Sequence, residues 1–345
     1  MDDIYLARCL DLASKGLGFT APNPMVGCVI VHDDRIIGEG YHRAFGKAHA
    51  EVNALASVKD VGLLHDATLY VNLEPCAHFG KTPPCSDMII DSGITRVRIG
   101  TSDPNPLVGG KGISRLKKKG LDVVSGILQK ECLELNKRFF TFHQKKRPFV
   151  LLKWARTKDG FIDRERHAGD PEGVNWISGK EARQWVHKWR SEEEAILVGT
   201  NTAALDNPGL TVRHWQGRNP LRLVIDREGK LPDHLKLFNG EANTLIFTNK
   251  PKEERPGVTY IKVPDGHDYI TFLLDFLYNQ EKQSLLVEGG AALLKSFIEE
   301  GLWDEARVFT GDMEFGTGVP SPELNSDPVE KNFPGGDLLE IYRNA

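Results

Sequence analysis

Apolar residues at positions 6, 9, 10, 13 and 17 recur at helical spacing and run into Gly16 and Gly18, which predicts a helix at the start of the chain. The apolar run over 26–31 then reads as a buried strand. His32-Asp33-Asp34 reads as a turn, and 35–38 returns as the hairpin partner. A helix is predicted over 50–58. Leu69, Val71 and Leu73 alternate as a strand that stops at Glu74-Pro75-Cys76, and Pro84 suits the first turn of a helix that Gly93 closes. Strands over 94–99 and 121–124, a short basic helix over 111–119 and one long helix over 128–144 complete this half. Such alternation implies a mixed sheet covered by helices.

Residues 144–148 interrupt the pattern with charge and a proline, and the boundary between two domains, 1–146 and 147–345, is placed there. Beyond it the pattern predicts strands over 149–154, 195–199, 221–226, 244–248, 260–263, 285–288 and 306–310. Helices are predicted over 180–190, 269–280 and 291–300. This is a second α/β domain with its own core. The stretch 320–334, rich in Pro, Glu, Asn and Gly, reads as irregular.

Composition narrows the class. A chain of 345 residues is more than one hydrophobic core usually absorbs, and 40% hydrophobic with 27% charged residues excludes disordered and fibrous classes. The formal net charge is -4, with no polycationic tract, so no general affinity for nucleic acid or anionic membrane is expected. No apolar run is long enough to span a bilayer, and the opening MDDIYLARCL lacks the basic and apolar segments of a leader, so a cytoplasmic protein is expected. Five thinly spread cysteines fit a reducing compartment.

Three of the candidate chemical groups can share a metal. His49-Ala50-Glu51 opens a predicted helix, Cys76 follows a strand end, and Cys85 lies nine positions on, just after Pro84. One imidazole and two thiolates are sufficient for catalytic zinc, which takes three protein ligands and leaves a fourth position for water. Positions i and i+2 diverge on a continuous helix, so His49 and Glu51 can serve one site only at the helix mouth. A helix start would also favour thiolate at Cys85. Taken singly, each of these residues has a bland reading: a chance His-x-Glu, or small core cysteines. Taken together they resemble the zinc deaminase pattern, in which the glutamate shuttles protons and is not a ligand.

The spacing in EPCAHFGKTPPC differs from the Pro-Cys-x-x-Cys of editing and nucleoside deaminases. With APNPMVGCVIV, GEGYH, HAEV and TSDPNP, it resembles the deaminase half of the bifunctional deaminase/reductases of riboflavin biosynthesis, across residues 1–145. That resemblance implies a cytidine-deaminase-like α/β/α domain with zinc on His49, Cys76 and Cys85 and Glu51 as the catalytic acid/base. It also implies that Asn23, His42, His78 and Lys81 face the substrate, Lys81 near its phosphate.

In the second half LLVEGGAALL places Gly289 and Gly290 between a strand and a helix, a junction suited to a dinucleotide's phosphates, although no GxGxxG is present. With ILVGTNTAALDNPGLTVR and the order of the other motifs, residues 148–310 are similar to the reductase half of the same family, a dihydrofolate-reductase-like α/β domain using NADPH. The resemblance implies that Ala155, Trp176, Thr202, Asp206 and the stretch Gly290, Ala291, Ala292, Leu293, Leu294, Lys295 and Ser296 bind the cofactor. Val174, Arg190, Leu210, Arg213 and Glu288 would hold the substrate, with Lys153 catalytic beside the reacting ribose. Val174 stands where some relatives carry serine and has no hydroxyl to offer.

The expected activity is therefore zinc-dependent deamination of 2,5-diamino-6-(5-phosphoribosylamino)pyrimidin-4(3H)-one followed by NADPH-dependent reduction of 5-amino-6-(5-phosphoribosylamino)uracil. The expected partners are small phosphoribosyl pyrimidines and not nucleic acid or membrane, and the expected assembly is a homo-oligomer, dimer or tetramer. A nucleic-acid base deaminase fused to a reductase-like domain is the alternative, opposed by the lack of a basic, aromatic-interleaved tract. A structural zinc module is a further alternative, opposed by the absence of an obvious fourth ligand.

Overall fold

The computed structural model describes residues 1–77, 83–105, 109–166 and 172–344. Backbone contacts divide the chain into two units, Met1–Lys146 and Arg147–Ala345.

The first unit holds helices α1 (Asp2–Ser14), α2 (Ala50–Ser57), α3 (Cys85–Asp91), α4 (Lys111–Lys118), α5 (Gln129–Leu135) and α6 (Lys137–Lys145). Its strands are β1 (Gly27–His32), β2 (Arg35–Tyr41), β3 (Thr68–Leu73), β4 (Arg96–Thr101) and β5 (Asp122–Ser125), in the order β2-β1-β3-β4-β5. β1 runs antiparallel to both neighbours, whereas β3, β4 and β5 are parallel. Asp33 and Asp34 both take positive φ (45° and 58°) at the β1–β2 turn, the pattern of a tight hairpin whose twist matches its strands.

Side-chain alternation in β1 builds both layers. Cys28 and Ile30 pack with Ala50 and Ala54 of α2, Ile89 of α3 and Leu116 of α4, while Val29 and Val31 pack with Leu6, Cys9 and Leu12 of α1. Helices thus cover the two faces of the sheet. The single helix expected over 128–144 is instead two: Asn136, at φ -99° and ψ 22°, separates α5 from α6. Its side chain is committed elsewhere, accepting from Met25 N–H at 2.8 Å and donating to Met25 C=O at 2.9 Å.

The second unit contains strands β6 (Phe149–Arg156), β7 (Phe161–Asp163), β8 (Ala195–Gly199), β9 (Leu221–Ile225), β10 (Thr244–Thr248), β11 (Val258–Lys262), β12 (Ser284–Val287), β13 (Glu305–Thr310), β14 (Val319–Pro320), β15 (Glu330–Asn332) and β16 (Leu338–Arg343). Its helices are α7 (Lys180–Glu192), α8 (Thr200–Asp206), α9 (Tyr269–Asn279) and α10 (Ala291–Glu299). Among the described residues nine strands form one sheet, β11-β10-β9-β8-β12-β6-β13-β16-β15, parallel from β11 to β13 and antiparallel at β16 and β15. β7 and β14 pair separately.

Val150, Leu152, Leu197 and Val287 face α9 and α10, and Leu151, Ile196, Val198 and Leu286 face the opposite way onto Ala203, Leu231 and Leu237. Both faces of the central strands are covered, which is why β8 and β12 read as continuous apolar runs. The stretch expected to be irregular is partly ordered: β14 begins at its edge, and β15 lies within it and pairs with β16. Short two- and three-residue strands carry too little alternation to be read from sequence.

Candidate functional site

In the first unit the site lies beyond the end of β3. His49 is the extended N-cap residue of α2 (φ -69°, ψ 164°), Glu51 is in that helix's first turn, and Cys85 is the first residue of α3. Cys76 follows β3 on the segment 74–77. His49, Cys76 and Cys85 present ligand atoms that all lie within 4.8 Å of one another. His49 Nδ1 is 3.8 Å from Cys76 Sγ and 3.3 Å from Cys85 Sγ. Zinc bonds of about 2.0–2.3 Å in tetrahedral geometry separate neighbouring donors by roughly 3.4–3.8 Å, so this donor set fits the ion in kind and in spacing.

The two thiols differ electrostatically. Cys76 is held down to about 4 because the Cys85 thiol and His49 donate to it and the Cys85 N–H adds a third contact at 3.3 Å. Cys85 is pushed up, first because it is the donor in that pair and then by burial. The amide at the start of α3 therefore serves Cys76, not Cys85, whose thiolate a helix start had been expected to favour. A metal takes these sulfurs as thiolates, so its binding would release the proton that the pair retains.

Glu51 is 3% exposed, and burial raises its pKa above that of an ordinary carboxylate. His42 is buried as well. Its Nδ1 lies 3.0 Å from Ala48 C=O, which makes Nδ1 the donor and leaves Nε2 to accept from Asn23 Nδ2 at 3.1 Å. Burial lowers the pKa of this ring, against the Ala48 contact. His42 and His49 meet edge to face, with ring centroids 5.6 Å apart, so Asn23, His42 and His49 form one connected group. His78 and Lys81 lie outside the described residues.

Three supporting residues were not singled out from the sequence. Asn72 accepts from Gly27 N–H and donates to Met25 C=O, so Asn72 and Asn136 together fix the backbone that follows Asn23. Glu74 is 4% exposed and accepts from the N–H groups of Asp103, Gly110 and Ile113, which ties the segment leading to Cys76 to the start of α4. Its position immediately before Pro-Cys at a strand end was the only available clue.

The second unit contains a cavity of about 780 Å³ along the C-terminal edges of β6, β12, β8 and β9, within the range of small-molecule sites. Open parallel sheets bind ligands at this edge. Lys153, Ala155, Val174, Trp176, Thr202, Asp206, Glu288, Gly290, Ala291, Ala292, Leu293 and Ser296 line it. Leu294 does not: it is fully buried in the core under α10, and Lys295 points to solvent beside Glu299. A helix cannot turn seven consecutive side chains to one face. Leu210 is likewise core, 1% exposed, with φ +52°. A Cβ at Gly290 would sit 2.9 Å from Thr202 Oγ1, so glycine lets the start of α10 approach α8.

Arg190 and Glu288 form a buried bidentate pair, with both N–O distances 2.7 Å. Burial opposes the Glu288 charge, but Arg190 wins and carries Glu288 down to about 2. Burial lowers the Lys153 pKa. Asp206 is raised to about 6 by burial, against Arg166 at 2.7 Å. Arg166 also reaches Asp163, Gly173 C=O and Leu205 C=O, fixing this wall of the cavity. Arg190 and Arg213 stand beside the cavity rather than in its lining.

Fold and site define a two-part enzyme, a deaminase-type zinc unit followed by a reductase-type unit with a cofactor-sized cleft. Residues 1–101 match the cytidine and deoxycytidylate deaminase zinc-binding region, and residues 148–329 match the RibD C-terminal domain. The riboflavin biosynthesis protein RibD of Aquifex aeolicus (strain VF5) is 40% identical over 339 residues, 96% of this chain and 93% of its own length. That of Escherichia coli (strain K12) is 38% identical over 328 residues, 89% and 87% of the two chains. The Thermotoga maritima diaminohydroxyphosphoribosylaminopyrimidine deaminase/5-amino-6-(5-phosphoribosylamino)uracil reductase superposes with a TM-score of 0.89 at 39% identity, covering 100% of this chain and 99% of the other. The chain belongs to the RibD family, the bifunctional deaminase/reductases of riboflavin biosynthesis, with zinc and NADPH as cofactors. Among the described residues, no helix is long and apolar enough to cross a membrane.

Proposed function

We propose that the two steps are divided between the units: residues 1–146 deaminate 2,5-diamino-6-(5-phosphoribosylamino)pyrimidin-4(3H)-one, and residues 147–345 reduce 5-amino-6-(5-phosphoribosylamino)uracil. The convergence of His49 Nδ1 and the two cysteine sulfurs beside buried Glu51 is the observation that carries this reading. These three residues would hold the zinc, which would supply a water acidified to a pKa of about 7. Glu51 takes the proton of the attacking water and passes protons to the ring nitrogen and the departing amine. The water oxygen becomes the ring carbonyl, and the amine leaves as ammonia. Asn23, fixed through its Nδ2 by His42, keeps its carbonyl oxygen for the pyrimidine. His78 and Lys81 contact the substrate, Lys81 at the phosphate.

In the second unit Ala155, Trp176, Thr202, Asp206 and the cavity-facing part of 290–296 hold NADPH, which supplies the hydride. Hydride addition at the ribosyl C1 would break the ring C–O bond, and the freed oxygen would take up a proton to give the ribityl phosphate. Lys153 stabilises the charge that develops on the sugar oxygen, and Glu288 keeps Arg190 in place. Arg190 and Arg213 take the substrate phosphate, for which a planar guanidinium is suited. Val174, 40% exposed at the cavity, offers an apolar contact. Five cysteines without a disulfide fit a cytoplasmic protein, and a homo-oligomer, dimer or tetramer, is the expected assembly, testable by sedimentation.

The test is Cys76→Ala and Cys85→Ala in the full chain, with zinc content and both reactions measured. Each variant is expected to lose bound zinc and ammonia release but to keep NADPH oxidation with the deaminated substrate. Full zinc occupancy in either variant would overturn the ligand assignment.

A further inference from the structure

The loop 209–219 carries Arg213, and its anchoring is unusual in passing through a single residue to both arginines. Thr211 is 3% exposed. Its carbonyl oxygen accepts from Arg190 Nη1 at 3.2 Å, and its Oγ1 accepts from Arg213 Nη1 at 3.0 Å. Arg190 has already given Nε and Nη2 to Glu288, so Thr211 takes one of its remaining N–H groups. Arg213 has no carboxylate bonded to it among the contacts described, and Thr211 is the side-chain partner of its guanidinium.

The loop itself is held by the two residues that follow Thr211. Arg213 N–H donates to His187 Nδ1 at 3.1 Å, and Val212 N–H donates to Asn219 Oδ1 at 2.8 Å. A Cβ at Gly209 would lie 2.8 Å from Arg213 Nη1, so the guanidinium is folded back against its own loop. Three cations, Lys153, Arg190 and Arg213, share this region with two carboxylates, Glu288 and Glu241, which leaves an excess positive charge. Arg213 is disfavoured as a cation first by burial and then by Arg190, which agrees with the two guanidinia being held close. Of this group, Lys153 and Glu288 line the cofactor cavity.

We propose that Thr211 is a positioning residue that sets the spacing and orientation of the Arg190 and Arg213 guanidinia for a single anionic group of the reductase substrate. This rests on the reading of those arginines as the phosphate site. Free substrate gains from a fork that is already aimed, and without the Thr211 hydroxyl Arg213 must be ordered at the moment of binding.

Thr211→Val keeps the shape and the carbonyl bond to Arg190 but removes the acceptor for Arg213, whereas Thr211→Ser restores the hydroxyl. Steady-state reduction of 5-amino-6-(5-phosphoribosylamino)uracil, NADPH affinity by fluorescence titration and ammonia release are measured for both and for Arg213→Ala. The expected result for Thr211→Val is a KM for the substrate raised about tenfold, the effect of one charge-assisted hydrogen bond. In that variant kcat, NADPH affinity and ammonia release stay within twofold, and Thr211→Ser returns KM to near its original value. An unchanged KM in Thr211→Val, a Thr211→Ser variant as impaired as Thr211→Val, or a parallel loss of NADPH affinity would each overturn the proposal. If Arg213→Ala raises KM while Thr211→Val does not, the phosphate reading stands and the positioning role fails. If Arg213→Ala also leaves KM unchanged, the phosphate reading itself fails.

Discussion

Glu51 combines two properties that a surface carboxylate lacks: it is buried, and it lies against Cys85 of the His49, Cys76 and Cys85 group that could hold a metal. Glu51→Gln preserves size and one acceptor but cannot carry a proton. Ammonia release is expected to fall by about 10²–10⁴-fold with zinc content unchanged, checked by coupled ammonia assay and metal analysis of the same sample. His187 makes a different prediction. Burial, then Arg190, Arg213 and His214, lower its pKa from 6.5 to about 4, against the attraction of Glu288. Between those values the unfolded chain binds the proton and the folded chain does not, so stability falls as pH is lowered through that window. His187→Gln is expected to flatten this part of the pH dependence in urea melts of the full chain, and an unchanged slope would remove His187 as its source.

At the scale of elements, the deaminase site depends on where three elements meet: the mouth of α2, the segment after β3 and the start of α3. These were legible because each is local. Alternation ended at Leu73, Pro84 marked a helix start, and His49 preceded an apolar run. The break between α5 and α6 was not legible, because Asn136 is separated by 111 residues from the backbone of Met25 that it serves, and no short window contains both. The same holds for Asn72 and Glu74, whose partners lie on other elements. The side chains of Leu210, Leu294 and Lys295 do not line the cavity, for the opposite reason: a motif is contiguous in sequence, but a helix or a tight loop sends neighbouring side chains to different sides. Asn136→Ala leaves the buried Met25 N–H without its partner and is expected to cost about 1–3 kcal/mol. Deamination KM should rise with zinc retained, and a variant with normal stability and KM would show that Asn136 does not support the Asn23 loop.

At the scale of the whole chain, each unit has its own sheet, its own core clusters and its own candidate site. The fold class was therefore readable from the alternation of periods in each half, whereas the nine-strand order was not, since it depends on which edges pair after the chain has crossed the sheet. Glu288 belongs to the reductase unit alone. Glu288→Gln leaves Arg190 short of its buried countercharge and is expected to destabilise that unit by about 3–5 kcal/mol, read as an early melting transition that leaves zinc binding intact. The most direct test of the account is to strip zinc from the intact protein with a chelator and follow two reactions in parallel: ammonia release from the diaminopyrimidine ribotide, and NADPH oxidation with 5-amino-6-(5-phosphoribosylamino)uracil. Loss of the first with the second undiminished, and recovery of the first when zinc is returned, is the predicted result. Ammonia release that survives complete removal of zinc would contradict it.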